Sequence, residues 1–437
     1  MKKVMVFGAG LSGKGATKLL EKDNYQVILV DDNLGLSSTE AIAKLDDIDF
    51  FIKSPGTPYN ELVIKAKEKN IKIIDEIQLA YDYMKNNNYK SKIIAITGTN
   101  GKTTVTTKLT ELLVFSGLKA KYAGNIGVSF GELILENSDL DYIILELSSF
   151  QLENLTNFCP DISLIVNLTP DHLERYNSLE EYYYTKFNIC KNQNRNHIFI
   201  LNHDSVEIND IVKELKIQSK INIVTVSREN KNSNYFITND FLKDQNDQIL
   251  SCNKLTLKGS HNLENILFIV AVAKIIDISN KNIRDFLYTT NTIEHRMENF
   301  HQYKNITFIN DSKGTNIDSS QYAIKAFKNC ILICGGHDKK SDWNSLADII
   351  ANSVKEVYLI GEIAKILENL LIAKNFPRKN IHTLNNIKNS LIHMKSHLDP
   401  DVEQVVLLSP ATSSYDQFKN FIERGNIFKS LSKEIFV

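Results

Sequence analysis

The sequence predicts an α/β protein built from three consecutive units: an N-terminal Rossmann-like unit, a central phosphate-loop unit with a parallel sheet, and a C-terminal Rossmann-like unit. Three observations predict it. Short apolar, often β-branched runs alternate with amphipathic stretches along most of the chain. Two glycine turns, Gly8-Ala9-Gly10-Leu11-Ser12-Gly13 and Gly98-Thr99-Asn100-Gly101, each stand between a strand-like and a helix-like run. Polar loops follow the strand-like runs of the last third, where open parallel sheets bind ligands.

Composition sets the bounds. A chain of 437 residues has room for two or three domains. With 43% hydrophobic and 24% charged residues it has an ordinary globular balance, and a net charge of −1 gives no electrostatic reason to expect nucleic acid. The apolar run after Met1-Lys2-Lys3 ends at Gly8, too short for a signal-peptide core, and no run approaches a membrane span. Five scattered cysteines, of which Cys330 and Cys334 read as buried thiols, fit a reducing, cytoplasmic setting.

In residues 1–90, Val4–Phe7 is a strand, a helix runs to about Glu21, and Val27–Val30 is the next strand, ending at Asp31-Asp32. Taken literally, G-x-G-x-x-G followed by Asp31 is a dinucleotide fingerprint; a tight first turn of any doubly wound sheet also needs such glycines. Ser54-Pro55-Gly56-Thr57-Pro58 lines a crevice or is a plain turn. The polar stretch Asn86–Lys90 reads as a linker.

Residues 91–294 open with Ile93–Ile96, then Thr97-Gly98-Thr99-Asn100-Gly101-Lys102-Thr103-Thr104, then Val105, Leu109, Leu112 and Leu113 at helical spacing, with Gly117 as the stop. This is the layout of a phosphate-binding loop. Backbone N–H groups and the positive end of the helix face the anion, Lys102 reaches the outer phosphates and the Thr103 hydroxyl serves Mg²⁺. The strict pattern has a glycine where Ile96 stands. Glu146 ends the apolar run Tyr142–Leu145, a place for a magnesium-holding carboxylate or a salt-bridged one. Asn125 sits in the glycine loop 123–127, and His172 follows the strand-like run 163–168. Residues 182–187 read as a helix, on which Lys186 alone looks like a surface residue, and residues 228–247 are polar and uninformative. Asn262 and Asn265 share a face at the start of an apolar helix, as caps or as contacts to a nucleotide.

Residues 295–437 resume the alternation, with strands near 306–309, 331–334, 357–360, 381–383 and 405–408. Three polar loops follow strands: Asn310–Asn316, Gly335–Lys340 and Ser409–Ser414. Arg296 stands at the entry, able to meet a phosphate or to tie units together by a salt bridge.

These motifs, in this order, resemble the Mur ligase family of peptidoglycan synthesis, and the resemblance spans the chain. It is carried by residues 97–104, Glu146 in Leu145-Glu146-Leu147-Ser148-Ser149, Asp171-His172, Tyr184-Thr185-Lys186, His261-Asn262, His295-Arg296 and residues 311–316. The N-terminal glycine turn and the ending Ser409-Pro410-Ala411-Thr412-Ser413-Ser414 through Gly425 look like the family's D-glutamate-adding branch.

The resemblance implies roles. Leu11, Ser12, Asp31, Asp32 and Asn33 would hold the uridine diphosphate of UDP-N-acetylmuramoyl-L-alanine, bordered by Ser54 and Gly56. Asn125 and His172 would face its muramoyl peptide. Gly98, Thr99, Asn100, Gly101, Lys102, Thr103 and Thr104 would hold ATP, with Asn262, Asn265, Arg296, Asp311 and Lys313. Thr103, Glu146, His172 and a carbamylated Lys186 would surround Mg²⁺, and Thr315, Lys339, Ser414 and Phe421 would take D-glutamate. Lys102, Glu146, His172 and Lys186 would be catalytic. Asn33 replaces a frequently basic residue, and Lys340 beside Lys339 is an alternative contact. A monomer is expected, with domains at 1–90, 91–294 and 295–437. Three rivals are an NAD-dependent oxidoreductase, which leaves the phosphate loop unexplained, a folylpolyglutamate-type ligase, which gives the N-terminal unit no purpose, and a non-catalytic nucleotide-binding regulator.

Overall fold

Strand β1 (Lys3–Phe7) shows why the chain opens with an unbroken apolar run. Val4 and Val6 face one core with Ala16 and Leu20, while Met5 and Phe7 face another with Val30, Phe51 and Leu62. A parallel strand buried on both faces has no polar side to alternate with. The computed structural model describes residues 2–437 apart from 173, 174, 258 and 292.

Three sheets account for the strands among the described residues. The first joins β1 to β2 (Gln26–Val30), β3 (Phe50–Lys53) and β4 (Ile73–Ile74), all parallel, in the order β2-β1-β3-β4. The direction of winding changes between β1 and β3, so a crevice opens at their C-terminal ends.

The second sheet contains β5 (Lys92–Thr97), β6 (Ala120–Gly124), β7 (Tyr142–Glu146), β8 (Ile162–Ile165), β9 (Ile198–Asn202), β10 (Asn222–Ser227), β11 (Tyr235–Thr238), β12 (Phe241–Asp244) and β13 (Gln248–Ser251). Its order is β13-β12-β11-β10-β9-β8-β5-β7-β6. The last three strands form an antiparallel meander, a correction to the reading of residues 228–247 as uninformative. Asn239 and Asp240, at φ 48° and 61°, make a two-residue turn. Phe236, Leu242, Ile249 and Leu250 are buried, while the exposed residues in and beside the turns, Asn239, Asp240 and 245–248, supply the polarity that hides the pattern.

The third sheet holds β14 (Glu298–Tyr303), β15 (Ile306–Asn310), β16 (Cys330–Gly335), β17 (Val354–Ile360), β18 (Ile381–Asn385) and β19 (Gln404–Leu408), in the order β14-β15-β19-β16-β17-β18. Strand β14 is an antiparallel edge that the sequence did not announce. Cys330 and Cys334 lie in its apolar core as free thiols, pushed up to about 12 by burial.

By contacts the chain forms two compact units. The first comprises Met1–Leu168, Glu180–Leu255 and Asn262–Thr289 and contains the first two sheets. The second comprises Thr169–Leu179, Thr256–His261 and Thr290–Val437 and contains the third sheet. Within the first unit, helix Glu76–Asn86 is followed directly by β5. Gln78 Oε1 on that helix accepts the backbone N–H groups of Thr156, Asn157 and Phe158. Gly131 lets helix Phe130–Glu136 pack against helix Leu11–Lys22, since a Cβ there would lie 2.5 Å from Leu19. Among the described residues no helix is long and apolar enough to cross a membrane.

Candidate active site

In the first unit the chemistry gathers at the C-terminal ends of β5 and β7. Ile96 on β5 pairs with Glu146 on β7, so the loop after β5 starts beside that carboxylate. Helix Lys102–Phe115 follows, buries Val105, Leu109, Leu112 and Leu113, and ends at Gly117 with φ 88°. The turn between strand and helix depends on glycine. Gly98 has φ 145°, and Gly101 has φ 83°, where a Cβ would come 2.2 Å from Asn265 Oδ1. That contact sets the first turn of helix Ser260–Ile275 against the loop, and it carries both Asn262 and Asn265, which are buried.

Asn167, at the end of the β8 run, was not singled out by the sequence reading. Its carbonyl accepts the N–H of Thr99 and its Oδ1 accepts the N–H of Asn100. It therefore shapes the loop from the neighbouring strand. A lone Asn between an apolar strand and Thr-Pro was the available signal.

Two lysines converge on the loop. Lys102 Nζ donates to the carbonyls of Gly98 and Thr99, both at 2.8 Å. Lys186, on helix Leu179–Phe187, is 1% exposed and donates to the same Gly98 carbonyl at 3.0 Å. Its ammonium also lies 4.5 Å from the centre of the Tyr182 ring. Lys186 is thus a buried residue aimed at the loop, which its sequence surroundings alone did not suggest.

Glu146 is 1% exposed. Its Oε1 accepts the Asn125 amide at 2.8 Å, while Oε2 is buried without a hydrogen-bond partner. A bare buried carboxylate oxygen is costly unless a cation meets it. It is a hard oxygen ligand of the kind that suits Mg²⁺, so this carboxylate fits the ion that the resemblance implies.

At the first sheet's crevice, Gly8 (φ 101°) and Gly13 touch so closely that a Cβ on Gly13 would lie 1.8 Å from the Gly8 carbonyl. Leu11 and Ser12 begin the following helix. Ser54, after β3, donates its hydroxyl to the Gly8 carbonyl, and Gly56 follows in the same turn. Asp31 accepts the N–H groups of Ala9 and Asn33, which hold its carboxyl below the ordinary carboxylate value. Asp32 accepts the N–H of Ser38 at 2.7 Å. Both acids thus brace the turn after β2 and the glycine loop.

In the second unit, three loops follow the adjacent strands β15, β19 and β16. Asp311, after β15, is buried and accepts the Ser409 hydroxyl and the Met297 N–H. Burial pushes its pKa up to about 6, against the pull of Arg296 and these hydrogen bonds. Arg296 also lies near His261, whose pKa burial pushes down to about 4. Lys313 Nζ stands 4.8 Å from the centre of the Phe421 ring, and Thr315 donates its N–H to the Lys313 carbonyl. Ser414 is buried, and its carbonyl accepts the N–H groups of Gln417 and Phe418.

Lys339 is buried and Lys340 exposed. Lys339 Nζ lies 2.5 Å from Asp171 Oδ1, and Asn316 Nδ2 donates to the other Asp171 oxygen at 3.1 Å. Burial raises the Asp171 pKa, but His172 and Lys339 outweigh it and hold the carboxyl below its ordinary range. His172, at φ 55°, donates its N–H to Asp171. Arg424 lies within the ending that resembles the D-glutamate-adding branch, with no local mark of a role. Buried, it donates to the Ser312 hydroxyl and to the carbonyls of Ser312 and Thr412, tying two candidate-site loops to helix Phe421–Ile435.

Comparison with known proteins follows the same pattern. Residues 96–273 match the Mur ligase middle domain, and residues 295–412 match the Mur ligase glutamate ligase domain. The chain is 51% identical to the UDP-N-acetylmuramoylalanine–D-glutamate ligase of Fusobacterium nucleatum subsp. nucleatum, over 100% of both chains. It is 36% identical to the enzyme of that name from Natranaerobius thermophilus, over 98% of this chain and 97% of the relative. Among solved structures, UDP-N-acetylmuramate–alanine ligase from Thermotoga maritima shares the fold with a TM-score of 0.63 at 16% identity, over 99% of both chains. MurF ligase from Thermotoga maritima, solved with ADP, has a TM-score of 0.59 at 14% identity, over 91% of this chain and 93% of that one. The chain belongs to the Mur ligase family, within its UDP-N-acetylmuramoylalanine–D-glutamate ligase group.

Proposed function

We propose that the protein is an ATP-dependent ligase that joins D-glutamate to UDP-N-acetylmuramoyl-L-alanine in peptidoglycan precursor synthesis, acting as a monomer in the cytoplasm. The observation that carries the reading is the meeting of Lys102 and Lys186 on the Gly98 carbonyl, beside the strand that ends in Glu146. It stands with full-length similarity to proteins of that name.

A carboxylate does not acylate an amine at neutral pH without activation. In the proposed reaction the L-alanine carboxylate attacks the γ-phosphate of ATP, giving an acyl phosphate and ADP. The amine of D-glutamate then adds to the acyl carbon, and phosphate leaves. Lys102 and the first-turn N–H groups of its helix hold the phosphates and stabilise the charge that shifts between them. Asn262, Asn265, Arg296, Asp311 and Lys313 would position the nucleotide. Glu146, Thr103 and Lys186 in its carbamylated form would hold Mg²⁺, with His172 as the further ligand, and the ion would supply neutralisation of phosphate charge. Asn125, beside Glu146, and His172 would face the muramoyl peptide. Leu11, Ser12, Asp31, Asp32, Asn33, Ser54 and Gly56 would hold the uridine diphosphate, and Thr315, Lys339, Ser414 and Phe421 the D-glutamate. The division of labour follows domains at 1–90, 91–294 and 295–437.

The test is phosphate release from ATP with defined substrates. Release should require both UDP-N-acetylmuramoyl-L-alanine and D-glutamate. Equal release with L-glutamate, or release without the nucleotide substrate, would sink the assignment.

A further inference from the structure

Away from the candidate site, the second unit gathers three of the chain's ten histidines. His393 and His397 are four apart on helix Ile387–His397 and so share a face. His382 comes from β18. Glu356 and Tyr358, two apart on β17, point to the same side of the sheet. The three imidazoles each offer a nitrogen within 4.8 Å of the other two.

The hydrogen bonds leave a charge to be supplied. His397 Nδ1 lies 2.8 Å from the His393 carbonyl, which can only accept, so that nitrogen carries the hydrogen. A neutral ring then has a bare Nε2. Yet His397 Nε2 faces Glu356 Oε1 at 2.9 Å, with the Tyr358 hydroxyl farther off at 3.3 Å, so two lone pairs meet unless a proton or a metal cation stands there. The Tyr358 hydroxyl gives its hydrogen to Glu356 at 2.8 Å and lies 3.1 Å from His393 Nδ1, which leaves His393 Nε2 bare as well. His382 Nε2 reaches the same Glu356 oxygen at 2.8 Å. The His393 carbonyl on His397 is the outer partner that metal-bound histidines commonly have.

We propose that His382, His393, His397 and Glu356 bind one divalent transition-metal ion of the zinc class. Nitrogen-rich donors select such an ion over Mg²⁺, which prefers oxygen. Ligands around a tetrahedral zinc stand roughly 3.3 Å apart, a contraction that rotation of the partly exposed rings supplies. The cluster lies by the N-terminal halves of β17 and β18, whereas the candidate-site loops follow the C-terminal ends of β15, β16 and β19. The ion would therefore be structural, stapling helix Ile387–His397 to the sheet.

The experiment titrates Zn²⁺ into the chelator-stripped full chain in excess Mg²⁺, with Co²⁺ absorption as a readout of four-coordination. One equivalent should bind, with visible bands typical of tetrahedral cobalt and a higher Tm. The double variant His393→Gln/His397→Gln should weaken binding by more than ~100-fold, since loss of an outer partner alone costs up to about that much. It should also lose the zinc-induced Tm shift. His382→Gln serves as the second variant should the double one fail to fold, with Tm in chelator as the folding control. No stoichiometric binding by the parent, or unchanged binding by His382→Gln, would overturn the proposal. The first outcome would mark the cluster as a network that carries only a proton.

Discussion

The lysines of the two units are seen on different acceptors, backbone in one and a side-chain carboxylate in the other. Lys102 and Lys186 converge on the neutral carbonyl of Gly98. Lys339 converges on the carboxylate of Asp171. Two ammonium groups share one backbone acceptor in the loop where a phosphate chain would arrive. A carbamate on Lys186 would reverse one of the two charges. Lys339 is already neutralised, so a ligand carboxylate must compete with Asp171 for it. The first pair is thus held by the backbone of the loop itself, whereas Lys339 is held by a carboxylate that an incoming one would have to displace.

The largest expected effect tests the first setting. Lys186→Ala should lose most of the phosphate release, and small carboxylic acids should return part of it by standing in for the carbamate; failure of rescue would remove that role. Lys102→Ala should lower kcat by on the order of 10²–10³, with the Tm little changed, because Lys102 is only half-buried. An unaltered kcat would mean that the loop does not carry the phosphates.

Arg424→Leu probes what holds the second region in shape. It strips the Ser312 and Thr412 carbonyls of buried donors and should cost about 3 kcal/mol in urea unfolding. A loss below ~1 kcal/mol would show that the loops hold without it. Asp171→Asn sharpens the contrast directly. Freed from its ion pair, Lys339 should lower the KM for D-glutamate roughly fivefold, worth ~1 kcal/mol. A rise in KM would mean that Asp171 orients Lys339 instead of competing for it.

The smallest effect is one of pH. The folded pKa of Asp311 is raised from 3.8 to about 6. The folded state therefore holds this proton more tightly than the unfolded chain, and the group costs stability as pH climbs from about 4 to about 6. Asp311→Asn should raise Tm more at pH 8 than at pH 5; an equal shift at both would place the titration elsewhere.

The parts of the site legible in sequence were those whose chemistry is local. Residues 97–104 lie between a strand and a helix that their own neighbours specify, and the structure has both. Glu146 stood out as a charge ending an apolar run, and it is buried there. Asn167 did not stand out, because its value lies in reaching a loop far from it in sequence. Lys186 carried no local mark of burial on its short helix. The meander β11–β13 was hidden for another reason: its strands are only four residues long, and the exposed polar residues of the turns between them swamp a short alternating signal.

By itself the sequence determined the alternation of strand and helix, the glycine turns and the order of the motifs. These follow from periodicity and backbone sterics, which act over a few residues. Only the tertiary structure decided which groups are paired and which are left waiting. The unpartnered oxygen of Glu146, the ion pair of Lys339 and the loops gathered by Arg424 all join residues far apart in the chain. Their energies come from burial and from the loss of water around charges, and neither exists until the sheets have closed over them.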